Sequence, residues 1–521
     1  LDLSTQSLSA SVIDLGAGGV VADLSLNYAE DPRLNRYGMD FETFIIPPRA
    51  PGEADQNPVM FLAALDALFA DLKERIDVSR IAAVNCSAQQ HGHVYLAAGA
   101  WEKAVSGLAE SGSGAADLRA HFASAFSLGT CPIWKTADTA AEAADLTAAA
   151  GGRDKMIQIS GSDSPLRFSG AVVRRVGLRY PAAYEGASAV RLLSSFLAAL
   201  LSANPDAPTD WGNAAGMSLM DYRAKEWSPA LMDGCSAGLP GGARGLASRL
   251  GKLDSPLSKV GNIARYFIEK FGLSEDAVVF AGSGDNPQTK VLGAGDLLSL
   301  GTSFVNMVST QGGTDPNGAF NAMYDGLGRP FMFGCRTNGA LVWDRVRAQW
   351  GIERRDYSKA DAGLAATPTG SSLAIWQPDA ESFPRSAVVP LTRLYEGKPA
   401  LEKDYAGVVD SSLALVYLTS KAYSAGTDLP LAVTGGPTGS KEILKRIADI
   451  WNRPVKAIGK AGASLGAACA GAAGLGLDAA AAASSCLAQG QATLPGPGAA
   501  ALRSERGYLN ALAAAFARVT G

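Results

Sequence analysis

The chain has 521 residues, 47% of them apolar and 18% charged, with a formal net charge of -4. That length exceeds what one hydrophobic core carries, roughly 250–300 residues, and the composition excludes a disordered chain. The weakly acidic balance excludes a global attraction for nucleic acid or an anionic membrane, and leaves room for a local basic pocket.

The six cysteines (Cys86, Cys131, Cys235, Cys335, Cys469 and Cys486) lie far apart and form no C-x-x-C pair. Neither a disulfide scaffold nor a zinc site is expected, and a reducing cytoplasm is predicted. No basic stretch followed by an apolar run opens the chain, so no signal peptide is read there. It starts at Leu1-Asp2, inside an apparent motif, and the expectation is that a few residues have been trimmed ahead of it. The apolar stretches Leu192–Ala203 and Ala463–Leu477 fall short of the ~20 residues that cross a bilayer, and are predicted as buried core helices.

Taken in chain order, short apolar runs end in polar or glycine loops. Ser9–Asp14 reads as a strand after a turn, and Ile81–Cys86 as a buried strand leading into Ser87-Ala88-Gln89-Gln90-His91-Gly92. Gly238–Gly245 is predicted as a surface loop. Val278–Ala281 leads into Gly282-Ser283-Gly284-Asp285-Asn286, Leu297–Leu300 into Gly301-Thr302-Ser303, and Leu431–Val433 into Thr434-Gly435-Gly436. Strands that stop at such loops are how α/β folds present sites. Ile443, Ile447 and Ile450 recur at helical spacing after Ser440, an N-cap. The alanine run Ala479–Ala483 and Pro495–Gly498 read as a surface helix and loop without chemistry.

One kind of element occurs twice. Asp2-Leu3-Ser4-Thr5-Gln6-Ser7 precedes apolar Val12 and Ile13; Leu298-Ser299-Leu300-Gly301-Thr302-Ser303 precedes apolar Val305 and Met307. Each reads as a strand, a tight hydroxyl-bearing turn and a second strand. Small turn residues let backbone N–H groups approach a phosphate oxygen. A hairpin in each half predicts two similar domains facing one another across a cleft.

Six ordered segments give the chain a resemblance to a known family. They are LDLSTQS around Asp2, SAQQHG with His91, DWGNAAGMSLMDYRAKEW from Asp210, FAGSGDNPQTKVLGAGD with Asp285, SLGTS with Gly301, and VTGGPTGSKEILKRIADIW with Gly435. The chain resembles the carbohydrate kinases that include glycerol kinase, gluconate kinase and xylulokinase. QQHG, CPIW at Cys131–Trp134 and FSG at Phe168–Gly170 look most like the animal-type xylulokinase branch.

The resemblance implies two actin-like (ribonuclease H-like) α/β domains, each a central mixed sheet flanked by helices, with sugar bound by residues 1–292 and nucleotide by 293–521. It implies MgATP-dependent phosphorylation of the C5 hydroxyl of D-xylulose. A sibling kinase for another ketose or polyol such as ribulose, or an actin-like ATPase without a sugar, are the alternatives. Asp285 is implied as general base, with His91, Arg167 and Asn286 on the sugar. Asp2 is implied on the magnesium side. Thr5, Gln6, Gly301, Thr302 and Ser303 are implied at the phosphates, and Gly435, Gly436 and Ser440 at adenosine. The expected partners are a small sugar and a second copy in a homodimer, with neither nucleic acid nor membrane.

Each residue type suits its role. Phosphoryl transfer needs alignment, charge neutralisation and an acceptor for the hydroxyl proton. A carboxylate within hydrogen-bond reach supplies the last, and magnesium takes oxygen ligands. Neutral imidazole donates to one hydroxyl and accepts from another. Three places depart from the family pattern. The acid two positions after the CPIW tryptophan is missing or shifted to Asp138, Ser440 stands where the nucleotide loop has asparagine, and Arg354 stands where an aromatic faces adenine.

Overall fold

The computed structural model describes residues 1–353, 357–424, 429–459, 462–487 and 491–520. It is an α/β chain built on two mixed sheets. The first holds β1 (Asp2–Leu3), β2 (Ser7–Ile13), β3 (Val20–Asn27), β4 (Ser87–Ala88) and β5 (Ser283–Gly284). The second holds β6 (Leu297–Leu300), β7 (Phe304–Ser309), β8 (Asn321–Tyr324), β9 (Pro330–Arg336), β10 (Leu431–Thr434) and β11 (Val455–Ala457).

In the first sheet the order is β5-β4-β1-β2-β3, with β1, β2 and β3 antiparallel in turn and β4 and β5 running parallel to β1. In the second it is β8-β9-β7-β6-β10-β11, with β6, β7 and β9 antiparallel in turn and β10 and β11 parallel to β6. Set side by side, β3-β2-β1-β4-β5 and β9-β7-β6-β10-β11 have the same order and the same directions. The duplicated hairpins read from the sequence are β1–β2 and β6–β7, and each lies beside a parallel strand that ends at a site loop.

The helices used below are α1 (Pro58–Lys73), α2 (Trp211–Ala215), α3 (Asp285–Val291), α4 (Ala340–Gln349), α5 (Ser358–Ala366), α6 (Leu401–Ser420), α7 (Lys441–Trp451) and α8 (Ala463–Gly474). Local chemistry starts them where expected. Asn57 caps α1 ahead of Pro58 at its first turn, and the Ser440 hydroxyl accepts from Ile443 N at 3.2 Å to cap α7. Ile443, Ile447 and Ile450 are then all buried.

One apolar cluster, with Leu3, Leu8, Phe61, Leu65 and Phe196, lies against the first sheet. A second gathers Leu298, Phe304, Trp343, Leu413 and Ile447 against the second sheet. A third, with Val173, Val176, Leu231 and Leu246, fills the layer of helices beyond the first.

The two apolar stretches are helices as expected, Leu193–Ser202 and α8. α8 is made of small residues because it lies backbone to backbone on its neighbours: a Cβ at Gly466 would sit 1.9 Å from Gln288 O of α3. Two expectations need correction. The stretch read as a loop at Gly238–Gly245 enters a helix at Gly242, which runs to Leu250 because Leu246 and Leu250 find the third cluster. The alanine run continues to Cys486, and Ala479 and Ala483 are buried rather than on the surface. All six cysteines are free thiols. Among the described residues no helix is long and apolar enough to cross a membrane.

Candidate active site

The parallel strands β1, β4 and β5 bring three loops to one edge. Ser87 of β4 pairs with Asp2 on one side and Ser283 on the other, so Asp2, the Gln89–His91 loop and Asp285 are neighbours although they are far apart in sequence. The Ser87 hydroxyl donates to Asp2 Oδ1 at 2.7 Å. Burial raises the Asp2 carboxyl, and the Ser87 bond opposes the rise. Asp285 is the first residue of α3, with Gly284 as its N-cap. It accepts from Asn286 N at 2.8 Å and Asn286 Nδ2 at 3.1 Å, and from the Gln90 backbone. Burial, then the charge of Asp2, push it up to about 7. A carboxylate held there shares its proton readily near neutrality.

The Gln90–His91 loop carries the next two groups. Asn286 Nδ2 donates to Gln90 Oε1 at 3.0 Å. His91 takes a left-handed backbone (φ 70°), which turns its ring away from the strand. Its ring stacks on Phe168 at 4.8 Å, and Arg167 lies over the same phenyl ring at 6.0 Å. Burial and the Arg167 charge lower His91 to about 3, so the imidazole is neutral. The structure places His91 and Arg167 on the Phe168 ring, and Asp285 and Asn286 beside the neighbouring Gln90.

Thr5 lies in a polar mesh. Its hydroxyl donates to Gln89 Oε1 at 2.9 Å and accepts from Trp134 Nε1 at 2.9 Å; Gln89 donates on to Gln56, and Gln56 returns to Thr5 O. Gln6 is exposed at the turn. Gln56 is a neighbour that the sequence did not mark, and Gln89 and Trp134 lie in the SAQQHG and CPIW segments without a role read for them. Asp138 is committed elsewhere, paired with Arg175 at 3.4 Å and with Arg179.

In the second sheet the β6–β7 turn and the loop after β10 meet at a cavity of about 440 Å³, lined by Gly301, Thr302, Gly436, Pro437, Gly439 and Ser440 together with side chains of α4, α5 and α6. Ser303 follows Thr302 in the turn, and its carbonyl accepts from Gly301 N at 3.1 Å. Gly435 (φ 106°) passes under Leu300, whose carbonyl would be 2.0 Å from any Cβ there, so this crossing admits only glycine. Ser440 donates to Asp361 Oδ1 at 2.7 Å while capping α7. Arg347 lies 4.4 Å above the Tyr357 ring at the cavity wall. Tyr357, Asp361 and Arg347 had no sequence signal, because they come from helices without a motif. Arg354 lies outside the described residues. A larger cavity of about 520 Å³, between β2 and residues 81–85, is lined by none of these groups.

The groups fit a nucleotide and a divalent cation. The second cavity has the size of a small-molecule site, about 300–1,000 Å³, and a glycine-lined entrance. The Asp2 and Asp285 carboxylates, both raised by burial, are hard oxygen donors that a cation would relieve. Among the described residues no group of three or more His, Cys, Asp or Glu could hold a metal ion.

Residues 123–293 match the family model "FGGY family of carbohydrate kinases, N-terminal domain". The chain is 32% identical over 363 residues to a xylulose kinase of Schizosaccharomyces pombe, covering 67% of this chain and 61% of that protein. It is 27% identical over 493 residues to the xylulose kinase of Mus musculus, covering 88% and 82%. A crystal structure of xylulose kinase from Rhodospirillum rubrum superposes with a TM-score of 0.80 at 17% identity, covering 99% of this chain and 98% of that one. The match to the Schizosaccharomyces protein spans less than two thirds of its length. Residues 123–293 carry the N-terminal domain of the FGGY family of carbohydrate kinases, and over most of its length the chain is similar to proteins named xylulose kinase.

Proposed function

We propose that this protein is an ATP-dependent sugar kinase that phosphorylates the C5 hydroxyl of D-xylulose, giving D-xylulose 5-phosphate and ADP. The observation that carries the reading is the convergence of His91, Arg167, Asp285 and Asn286 at one strand edge, in a chain similar to proteins named xylulose kinase. In this reading residues 1–292 and 293–521 are two actin-like domains with a cleft between them, the first for sugar and the second for nucleotide.

Asp285 takes the C5 hydroxyl proton as the oxygen attacks. His91, Arg167 and Asn286 hold the other hydroxyls and orient C5. The turns at Thr5–Gln6 and Gly301–Ser303 offer N–H and hydroxyl donors to phosphate oxygens. Gly435, Gly436 and Ser440 lie along adenosine, with Tyr357 at the cavity wall. Magnesium held beside Asp2 would neutralise phosphate charge.

The test is a coupled ADP-release assay over ketopentoses, ketohexoses and polyols. D-xylulose is expected to lead in kcat/KM, well ahead of glycerol, because a site built around hydroxyls leaves its own buried groups unpaired when one is missing. D-ribulose as the best substrate would move the assignment to the sibling kinase. ATP hydrolysis indifferent to every sugar would end the kinase reading.

A further inference from the structure

The segment Asp210–Gly216 touches both working ends of the sugar site without lining it. Asp210 is 1% exposed and caps α2. Its Oδ1 accepts from Asn213 Nδ2 at 2.6 Å, and its Oδ2 from Asn213 N at 3.1 Å and from the Ser283 hydroxyl. Asn213 Nδ2 also donates to Ser194 Oγ at 2.9 Å. Ser283 lies in β5, two residues before Asp285. Between them Gly284 is closely packed: a Cβ there would come 2.3 Å from Gln90 Cγ and 2.9 Å from Asn213 Oδ1. Asn213 and Gln90 thus both close on the strand end, on the side of Gly284 where a Cβ would project.

The other end of the same segment reaches His91. Gly216 N donates to Asn213 O at 2.9 Å, and Gly216 O lies 3.0 Å from His91 Nδ1. A carbonyl oxygen only accepts, so this contact places the imidazole proton on Nδ1 and leaves the Nε2 lone pair for a ligand hydroxyl. Contact is tight: a Cβ at Gly216 would come 2.9 Å from His91 Cε1.

We propose that Asp210 and Asn213 are positioning residues, and that the segment Asp210–Gly216 is one brace that aims Asp285 through Ser283 and Gly284 while it sets the His91 tautomer through Gly216. The proposal rests on the kinase reading for its kinetic arm only. Because one segment holds both groups, the proton acceptor and the sugar contact keep their relative placement as the rest of the chain moves. A misplacement of about 1 Å between reacting groups costs up to about a hundredfold in rate, so this coupling has kinetic weight. The brace makes no contact with the nucleotide cavity, whose lining contains none of its residues.

The test uses the full chain with ¹⁵N-labelled imidazoles; with three histidines the signals are few. Wild type is expected to show His91 as the Nδ1-protonated tautomer. Asn213→Ala is expected to lose about ten- to a hundredfold in kcat and to raise the sugar KM, with the ATP KM within about twofold and His91 shifted towards mixed tautomers. Ser283→Ala acts at the base end alone: it is expected to lower kcat by about three- to tenfold with the His91 signals unchanged. The brace is overturned by an Nε2-protonated His91 in wild type, by unchanged kcat in both variants, or by an equal loss of sugar and nucleotide binding in Asn213→Ala. Should Asn213→Ala fail to fold, the wild-type tautomer and Ser283→Ala still decide. If wild type turns over no sugar of the panel, the kinase reading fails, while the His91 tautomer and its response to Asn213→Ala decide the brace.

Discussion

Asp285 is placed by a strand end, not by its own sequence neighbours alone: Asp2 reaches it only because β1, β4 and β5 lie side by side. In the proposed mechanism it must be ionised to accept the hydroxyl proton, and its carboxyl is raised to about 7. Activity should therefore rise with pH, and kcat/KM, which reports the free enzyme, should fall below about pH 7 with one proton taken up. Added magnesium should move that limb to lower pH, since a cation beside Asp2 offsets the like charge. His91, lowered to about 3, stays neutral across the working range and adds no limb near pH 6.5. A profile with a second acidic limb there would assign a titrating histidine to the reaction. Asp285→Asn keeps the size and the Asn286 contact, and is expected to lose about 10²–10⁴ in kcat with sugar KM little changed. Near-wild-type turnover would remove Asp285 from the chemistry. At this scale the sequence marks the candidate residues that lie within a motif, as His91, Arg167, Asp285 and Asn286 do. It is silent on Gln56, and carries Trp134 only as part of the CPIW segment; both join Thr5 through tertiary hydrogen bonds.

Elements were legible where their ends carry chemistry. Ser440 starting α7 and the hairpin turns at Thr5 and Thr302 needed only capping and turn rules, and the structure has both hairpins. The helix from Gly242 was hidden because glycine is a poor helix former, and burial of Leu246 and Leu250 overrides that preference. Two substitutions separate an element's stability from its role. Ser440→Ala removes the α7 cap and is expected to cost about 1 kcal/mol in denaturant unfolding; it also leaves Asp361 without the Ser440 hydroxyl at the cavity wall, so ATP KM should rise while sugar KM holds. Gly435→Ala meets Leu300 O at 2.0 Å with φ at 106°. It should lower nucleotide affinity at least tenfold by about the 1–3 kcal/mol of a strained backbone, read by titration calorimetry with ADP. Unchanged ADP binding would place the nucleotide away from this crossing.

The whole molecule repeats one strand order in two sheets, and the proposed reactants are divided between them: the sugar residues lie at the first sheet's edge and the nucleotide cavity at the second's. Transfer then requires the halves to bring γ-phosphate and C5 hydroxyl within contact, and to exclude water that would otherwise take the phosphoryl group. One surface that crosses between the halves, around α8, is made of small residues, whereas another stacks Tyr222 on Tyr324 at 4.8 Å. α8 lies on the first half with glycine and alanine: Asn85 Nδ2 donates to Ala467 O at 2.9 Å, and Ser11 and Ser464 share a hydroxyl bond at 2.9 Å. Small side chains at such a surface interdigitate little, so helices slide with few rotamer changes. Elsewhere Asp163 joins the exposed Arg385 at 2.7 Å, a surface pair that contributes little and reforms easily. In the proposed reading each ligand alone contacts one half and gains little from closure, and together they contact both. We therefore expect small-angle scattering to show a smaller radius of gyration with sugar and a non-hydrolysable nucleotide together than with either alone. Gly466→Ala should blunt that compaction, because its Cβ would meet Gln288 O of α3, the helix that begins with Asp285. One unchanged radius in all four ligand states would mean that the halves are already in their reacting arrangement, and that water is excluded by local loops instead.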